Sequence, residues 1–288
     1  MSDDVVADFV TDLIPDTAGY EEPVRGRVLM NQEQVVLATA NERVSISLAD
    51  VFDLQYGSAP DDMRRFFGDT VTIGYRRNDR RAIAMIQGEG ETVERFATLL
   101  FKAILNDSTV LLRHPAKVGG RVTDASLRRA RIGVRPGAVR FVTDDTFSID
   151  VSTVVHFERV DRELDGTTRP VLSVRHRAGD ETVTTELALS PPAKMNVLGR
   201  FLRIEYSQLR EELEDVSLQE AELEVLVGLY SGATRGNLAG MLGVDASRVS
   251  MLIDSLREKG LLEETDSGYA LTATGRMAVG ERIEDVNI

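Results

Sequence analysis

Twice between residues 21 and 191 the chain runs through half a dozen short extended segments and then switches to helical spacing. The first pass gives Val24 to Met30, Gln34 to Ala40, Arg43 to Ser47, Val51 to Tyr56, Thr70 to Arg76 and Arg80 to Gln87, each of strand length and bounded by turn residues. Glu91 to Leu105 follows, with Val93, Phe96, Ala97, Leu100, Phe101 and Ile104 on one helical face. The second pass gives strands around Leu127 to Val134, Ala138 to Val142, Phe147 to Val151, Val154 to Val160, Val171 to Arg177 and Thr182 to Leu189, then a helix from about Ala193. Laying Arg27–Thr39 on Arg131–Thr143, a shift of 104, and Val44–Leu54 on Phe147–Phe157, a shift of 103, matches apolar with apolar at ten positions, Val28/Ile132, Leu37/Phe141 and Val51/Val154 among them. A chain that is 42% hydrophobic yields roughly half that number by chance.

An antiparallel sheet of this size curled around one C-terminal helix is the plan of a pleckstrin-homology-like barrel. The expected fold is therefore α+β: two tandem pleckstrin-homology-like β-barrel modules, each closed by a helix, at 21–106 and 107–191, after an acidic N-terminal segment at 1–20. Two unrelated α+β domains are the alternative. A long connecting helix is expected over 192–216, where Met195, Leu198, Leu202, Tyr206, Leu209, Leu213 and Val216 approach a heptad seam. The end of that seam exceeds what one module needs. It serves either packing within the chain or a homodimer; spacing does not choose between them, but the surplus of seam over what one module needs makes a homodimer the expectation.

Residues 217–288 read as a winged helix-turn-helix. Ser217, with Glu220 three residues on, forms a capping box for a first helix; Arg235 to Leu242 is a second, Gly243 the turn, and Asp245 the cap of a third whose inner face carries Val249, Leu252, Ile253 and Leu256. Glu263 to Thr272, with a Ser267-Gly268 turn, is a two-stranded wing, and Thr274 to Ile283 a closing helix. This unit holds twelve acidic residues against six basic; its third helix sets Arg248, Arg257 and Lys259 against Asp245, Asp254 and Glu258, and its wing has three acids and no base. DNA contact needs several free cations on helix and wing. No DNA partner is expected; a protein is. The candidate anchors are Met251, Leu252 and Tyr269 with Arg248 and Arg257 as polar rim, although Leu252 fits the inner face equally well.

The net charge of −13, with only Lys102, Lys117, Lys194 and Lys259 among 34 basic residues, fits a surface kept hydrated in concentrated salt. A GC-rich genome explains the arginines but not the carboxylates. With no Cys, a disulfide, a thiol nucleophile and a Cys-based zinc site are excluded, and His114, His156 and His176 stand outside ligand spacing and read as structural. Gly88-Glu89-Gly90 lacks the rest of a phosphate loop or dinucleotide pattern and reads as a strand-to-helix turn; Asp61-Asp62, Asp144-Asp145 and Glu263-Glu264 read as solvated surface. No catalytic, cofactor or metal site is expected. No run reaches about 18 uncharged apolar residues, so no membrane insertion is expected. Met1 to Asp16 carries five Asp and no basic residue, the reverse of a secretory leader, which points to the cytoplasm.

The most unusual stretch is His114-Pro115-Ala116-Lys117-Val118-Gly119-Gly120-Arg121-Val122-Thr123-Asp124. Pro followed by a Gly pair implies a bend, Lys117 and Arg121 make a small basic spot, and the plain reading is a connector between modules. This stretch at the head of a second β-rich module, with the C-terminal winged helix and the chain length, resembles CheF, the archaeal taxis adaptor family. The resemblance implies a non-enzymatic cytoplasmic adaptor that links phosphorylated CheY to the archaellum switch-complex proteins, with other Che proteins as further partners. An archaeal winged-helix transcription regulator is the alternative.

Overall fold

A computed structural model describes residues 5–19, 22–58, 69–88, 90–164, 166–179, 181–265 and 268–286. It is α+β, with antiparallel sheets. β1 (Ala7–Ile14), β2 (Val24–Met30), β3 (Gln34–Thr39), β4 (Arg43–Ser47), β5 (Val51–Ser58), β6 (Asp69–Arg77) and β7 (Arg80–Gln87) form one sheet in the order β4-β3-β2-β1-β7-β6-β5, and α1 (Glu91–Leu105) follows. β8 (Thr109–Val118), β9 (Arg121–Val122), β10 (Arg128–Arg135), β11 (Ala138–Val142), β12 (Phe147–Asp150), β13 (Val154–Leu164), β14 (Thr167–Ala178) and β15 (Glu181–Leu189) form the second, in the order β12-β11-β10-β8-β15-β14-β13, followed by α2 (Ala193–Glu214). With β9 set aside as a short partner of β8, the two orders are the same.

The correspondence extends to irregular features at the shifts of 104 and 103. The β2–β3 turn is flanked by Met30 opposite Val35, and the β10–β11 turn by Val134 opposite Val139. A single 3-10 turn follows each fourth strand of the pattern, at Leu48–Asp50 and Val151–Thr153. Ser47 opens the first by accepting from the Ala49 N–H, and Asp150 the second by accepting from the Ser152 N–H. A β-bulge then falls at Val51/Asp53 and at Val154/His156. Two unrelated domains would not share these details.

Three expectations need correcting. The sheets are not closed barrels: β4 and β5 end one path, β12 and β13 the other. The 3-10 turn between each pair carries the chain across the open side instead of into a hairpin; α1 packs on the first of these turns and α2 on the second. Second, the acidic segment 1–20 supplies β1, which pairs with β2 from Ala7↔Met30 to Leu13↔Val24 and with β7 at Leu13↔Ile86. Its acids serve this role, because Asp8 and Asp12 meet Arg27 and Arg25 of β2 across the sheet at 2.6 and 3.5 Å. Third, the Pro115 stretch is not a connector. His114 to Val118 form the end of β8, beyond its pairing with β10 and alongside β15, and Gly119 and Gly120 at positive φ make the turn to β9, which pairs back on Lys117 and Val118. A ladder N–H is missing at Pro115, and the β8–β15 register shifts opposite it, between Thr184 and Glu186.

α1 buries Val93, Phe96, Ala97, Leu100, Phe101 and Ile104, each large side chain contributing roughly 1.5–3 kcal/mol. Gly88 precedes it because a Cβ there would lie 1.8 Å from Val93 Cβ. Phe101 meets Phe201 of α2 edge to face at 5.6 Å, joining the cores of both sheets. The α2 seam is internal as well: Leu202, Leu209 and Leu213 are buried, and α2 packs on β5 and on the last helix, Ala273–Val286. The seam therefore gives no ground for a homodimer. α2 is the longest helix described, and among the described residues no helix is long and apolar enough to cross a membrane.

Candidate protein-docking site

The C-terminal unit is built from α3 (Glu220–Tyr230), α4 (Arg235–Leu242), α5 (Ala246–Glu258), β16 (Leu262–Thr265), β17 (Gly268–Leu271) and α6 (Ala273–Val286). The cap of α3 lies two residues later than Ser217 and Glu220: Gln219 is the N-cap and Glu222 closes the capping box. Thr234 and Asn237 cap α4, Gly243 ends it in the left-handed region at φ 67°, and Asp245 accepts from the Arg248 N–H at 2.7 Å to start α5. The turn residue Ser267 lies outside the described residues, as do Asp61 and Asp62; Asp144, Asp145, Glu263 and Glu264 are exposed.

α5 buries Val249, Leu252, Ile253 and Leu256, so Leu252 is core and leaves the list of anchors. Met251 points outward and is 63% exposed; Arg248 and Arg257 are exposed beside it in sequence, and Tyr269 is half-buried on β17. Two apolar side chains of the same segment escaped the sequence reading: Met241, 58% exposed at the end of α4, and Val244 in the turn. Among the described residues these three are the large exposed apolar side chains of the unit, and apolar groups that gather into one patch mark interaction surfaces. The signal was available as Met-Leu-Gly-Val, in which only Leu242 was needed inside.

Two of the three cations on α5 and its C-cap, Arg257 and Lys259, are already engaged. Arg257 pairs with Glu264 of β16 at 3.3 Å and Asp254 at 3.7 Å, and Lys259 Nζ reaches Glu222 at 2.6 Å. α6 fixes the unit to the second sheet. Arg276 holds Asp150 at 2.6 Å and Ser152 Oγ at 3.2 Å, Arg177 donates to the Gly280 carbonyl at 3.3 Å, and Thr274 donates to Glu212 of α2 at 2.8 Å.

The β8 motif is structural where it is buried. His114 stacks on Phe147 at 4.0 Å, and one hydroxyl, Thr185 Oγ1, lies 2.8 Å from His114 Nδ1 and 3.1 Å from His176 Nε2. Thr123 donates to the Pro115 carbonyl, while Lys117 is half-buried and Arg121 exposed. Burial, then the charges of His176 and Arg128, lower His114 to about 4; burial lowers His176 too. Among the described residues no cluster could hold a metal ion. Because the folded state prefers neutral rings, their stabilisation is complete above the ordinary value of 6.5 and drains as pH falls from there toward about 4. Discounted for a ring half in water, the loss from His114 is about 1–2 kcal/mol. Melting temperatures of the wild type and His114→Asn, compared from pH 7.5 to 4, should converge as the pH falls; parallel curves would remove His114 from the acid response.

A family model described as archaeal chemotaxis signal transduction system protein F matches residues 5–208, and a domain family of unknown function matches 217–284. The taxis protein CheF2 of Halobacterium salinarum is 50% identical over 288 residues, covering 100% of both chains. Taxis protein CheF1 of the same organism is 27% identical over 265 residues, 91% of this chain and 89% of its own. The solved Spt16D–Pob3N heterodimer covers 65% of this chain and 96% of its own at 13% identity, with a TM-score of 0.25.

Proposed function

This chain belongs to the archaeal CheF family of chemotaxis signal-transduction proteins, and from that premise we propose that it is a non-enzymatic adaptor between phosphorylated CheY and the archaellum switch complex. In this reading the two sheets with their helices are open pleckstrin-homology-like modules, over residues 5–106 and 107–191, that face the motor at the base of the archaellum. Residues 217–288 are a winged helix-turn-helix that receives CheY, and α2 joins the two. Other Che proteins fall within the same partner class.

The observation that carries the receiver role is the exposed Met251, with Met241 and Val244 from the same helical segment. Apolar burial is the contact energy that salt does not screen, whereas exposed charge pairs lose most of theirs within about 3 Å at 1 M salt. Against transcriptional regulation stand the pairing of Arg257 and Lys259 with carboxylates and the acidic hairpin beside α5. A response regulator changes its output face on phosphorylation, and a partner favouring the active face shifts the equilibrium by its differential affinity alone. The full chain should bind CheY carrying a phosphoryl mimic several-fold more tightly than inactive CheY, and Met251→Asp should weaken the active complex by about ten-fold or more. Unchanged binding by that variant would move the receiver off α5.

A further inference from the structure

We propose that the trough between the two sheets is a docking groove for an extended acidic segment of a partner protein. An open cavity of about 480 Å³ is lined by Phe52 of β5, Arg81 of β7, Phe157 and Arg159 of β13, and Arg200 and Arg203 of α2. β5 and β13 are end strands of their sheets, so the cavity opens where the repeat leaves both sheets unfinished. A second cavity of about 440 Å³ shares Arg200 and Arg203 and continues to Glu211. The trough thus follows α2 from Met195 to Glu211, about 24 Å at 1.5 Å per residue.

The first cavity carries charge opposite to that of the molecule, four Arg against Asp53 and Glu158, while the second adds Asp69 and Glu211, so the cationic part of the trough is its Met195 end. In a chain of net charge −13, Arg200 is matched by Asp53 at 3.2 Å, and Glu158 also lines the first cavity. Arg81 lies 5.5 Å over the Phe52 ring and Arg159 donates to the neutral Asn196 amide at 3.0 Å; among the described residues neither these two nor Arg203 forms an ion pair. Guanidinium groups held by an aromatic face and an amide stay charged and pre-oriented for carboxylates. Between them the floor is apolar, with Leu172 and Met195 beside the two Phe rings. A compact anion would use neither the length nor that floor. An extended strand alternating carboxylates with apolar side chains uses both, and a partner whose surface is acidic for the same reason as this one finds here the surface that does not repel it.

The inference is independent of which unit receives CheY. The probe is a fluorescein-labelled twelve-residue peptide of alternating Glu and Leu, titrated against the full chain at a salt concentration where it is folded. Binding should weaken about ten-fold or more in Arg159→Glu/Arg203→Glu and less than about two-fold in Arg129→Glu/Arg140→Glu, which makes the same charge change elsewhere. In the wild type the peptide should slow hydrogen exchange over residues 195–211. Equal loss in both variants, absence of binding or of that protection, or displacement by millimolar inorganic phosphate would overturn the proposal.

Discussion

Gly275→Ala should destabilise the C-terminal unit by about 3 kcal/mol or more. A Cβ at that position would lie 2.2 Å from the Leu261 carbonyl oxygen and 3.1 Å from its carbon. The obstacle is backbone, not the end of a flexible side chain. Leu261 is fully buried between α5 and β16, and the same carbonyl accepts the Thr272 N–H at 3.1 Å, so it has nowhere to retreat. α6 must therefore move. Arg276, one residue along, would leave Asp150 and Ser152, and the unit would lose its attachment to the second sheet together with its closing helix. Overpacking usually costs about 1–3 kcal/mol, and an immovable carbonyl puts this case at or above the top of that range. Gly280→Ala, in the same helix with nothing within 4 Å of the added methyl, should be neutral or stabilising by up to about 1 kcal/mol. Proteolysis and thermal unfolding of the two variants test the pair. A Gly275→Ala melting point within about 2 °C of wild type would show that α6 does not rest on Leu261 as described.

The architecture was legible where a local pattern has a single physical solution. Strand runs and the shifts of 104 and 103 located both sheets, because a buried face imposes period two and a duplicated core imposes the same residues twice. The same rule, applied to Ala7, Phe9, Thr11 and Leu13, would have found β1; the segment was set apart from the first module as acidic because charge was weighed before alternation. Pro115 misled for a related reason. A proline argues against a central strand, and only the opposing register shift at Thr184/Glu186 makes room for one. Closure of the sheets was illegible, since a three-residue turn can fold a hairpin or cross the mouth of a sheet, and the choice depends on what α1 and α2 bury.

The site divides in the same way. Met251 was separable from Leu252 only by knowing the rotation of α5, whereas Met241 and Val244 stood in the Met-Leu-Gly-Val run, and the packing of α4 on α3, where Leu238 Cδ2 lies 2.8 Å from the position of a Cβ on Gly228, shows what α4 turns inward instead. The trough could not be read at all: Arg81, Arg159 and Arg203 stand far apart in sequence and converge only through the two end strands. Thirty arginines in one composition conceal which of them line the trough.

Glu222→Gln should loosen the C-terminal unit by about 3 kcal/mol, the lower end of what removing one partner of a buried ion pair costs. Glu222 is 2% exposed, and its two oxygens take four hydrogen bonds from three donors: Lys259 Nζ at 2.6 and 2.7 Å, Ser255 Oγ at 2.7 Å and the Gln219 N–H at 2.8 Å. One residue thus ties the start of α3 to the end of α5. The amide keeps one acceptor and turns its NH₂ toward donors, leaving the Lys259 ammonium without its counter-charge; that ammonium is partly exposed and can turn to water, which limits the loss. Burial disfavours the carboxylate, but the Gln219, Lys259 and Ser255 hydrogen bonds outweigh it and hold the group below its ordinary 4.5. A lowered folded value means stabilisation that is present above 4.5 and lost as pH falls below it. The gap between wild type and variant should therefore stay constant from pH 7 to about 5 and close only below 4.5, a window distinct from the histidine response that begins at 6.5. Hydrogen exchange in α3 and α5 of the full chain should accelerate about a hundred-fold in the variant at pH 7 while the two sheets stay protected. Uniform acceleration over the whole chain would mean that the C-terminal unit and the sheets unfold as one body, with the Arg276 contacts strong enough to couple them.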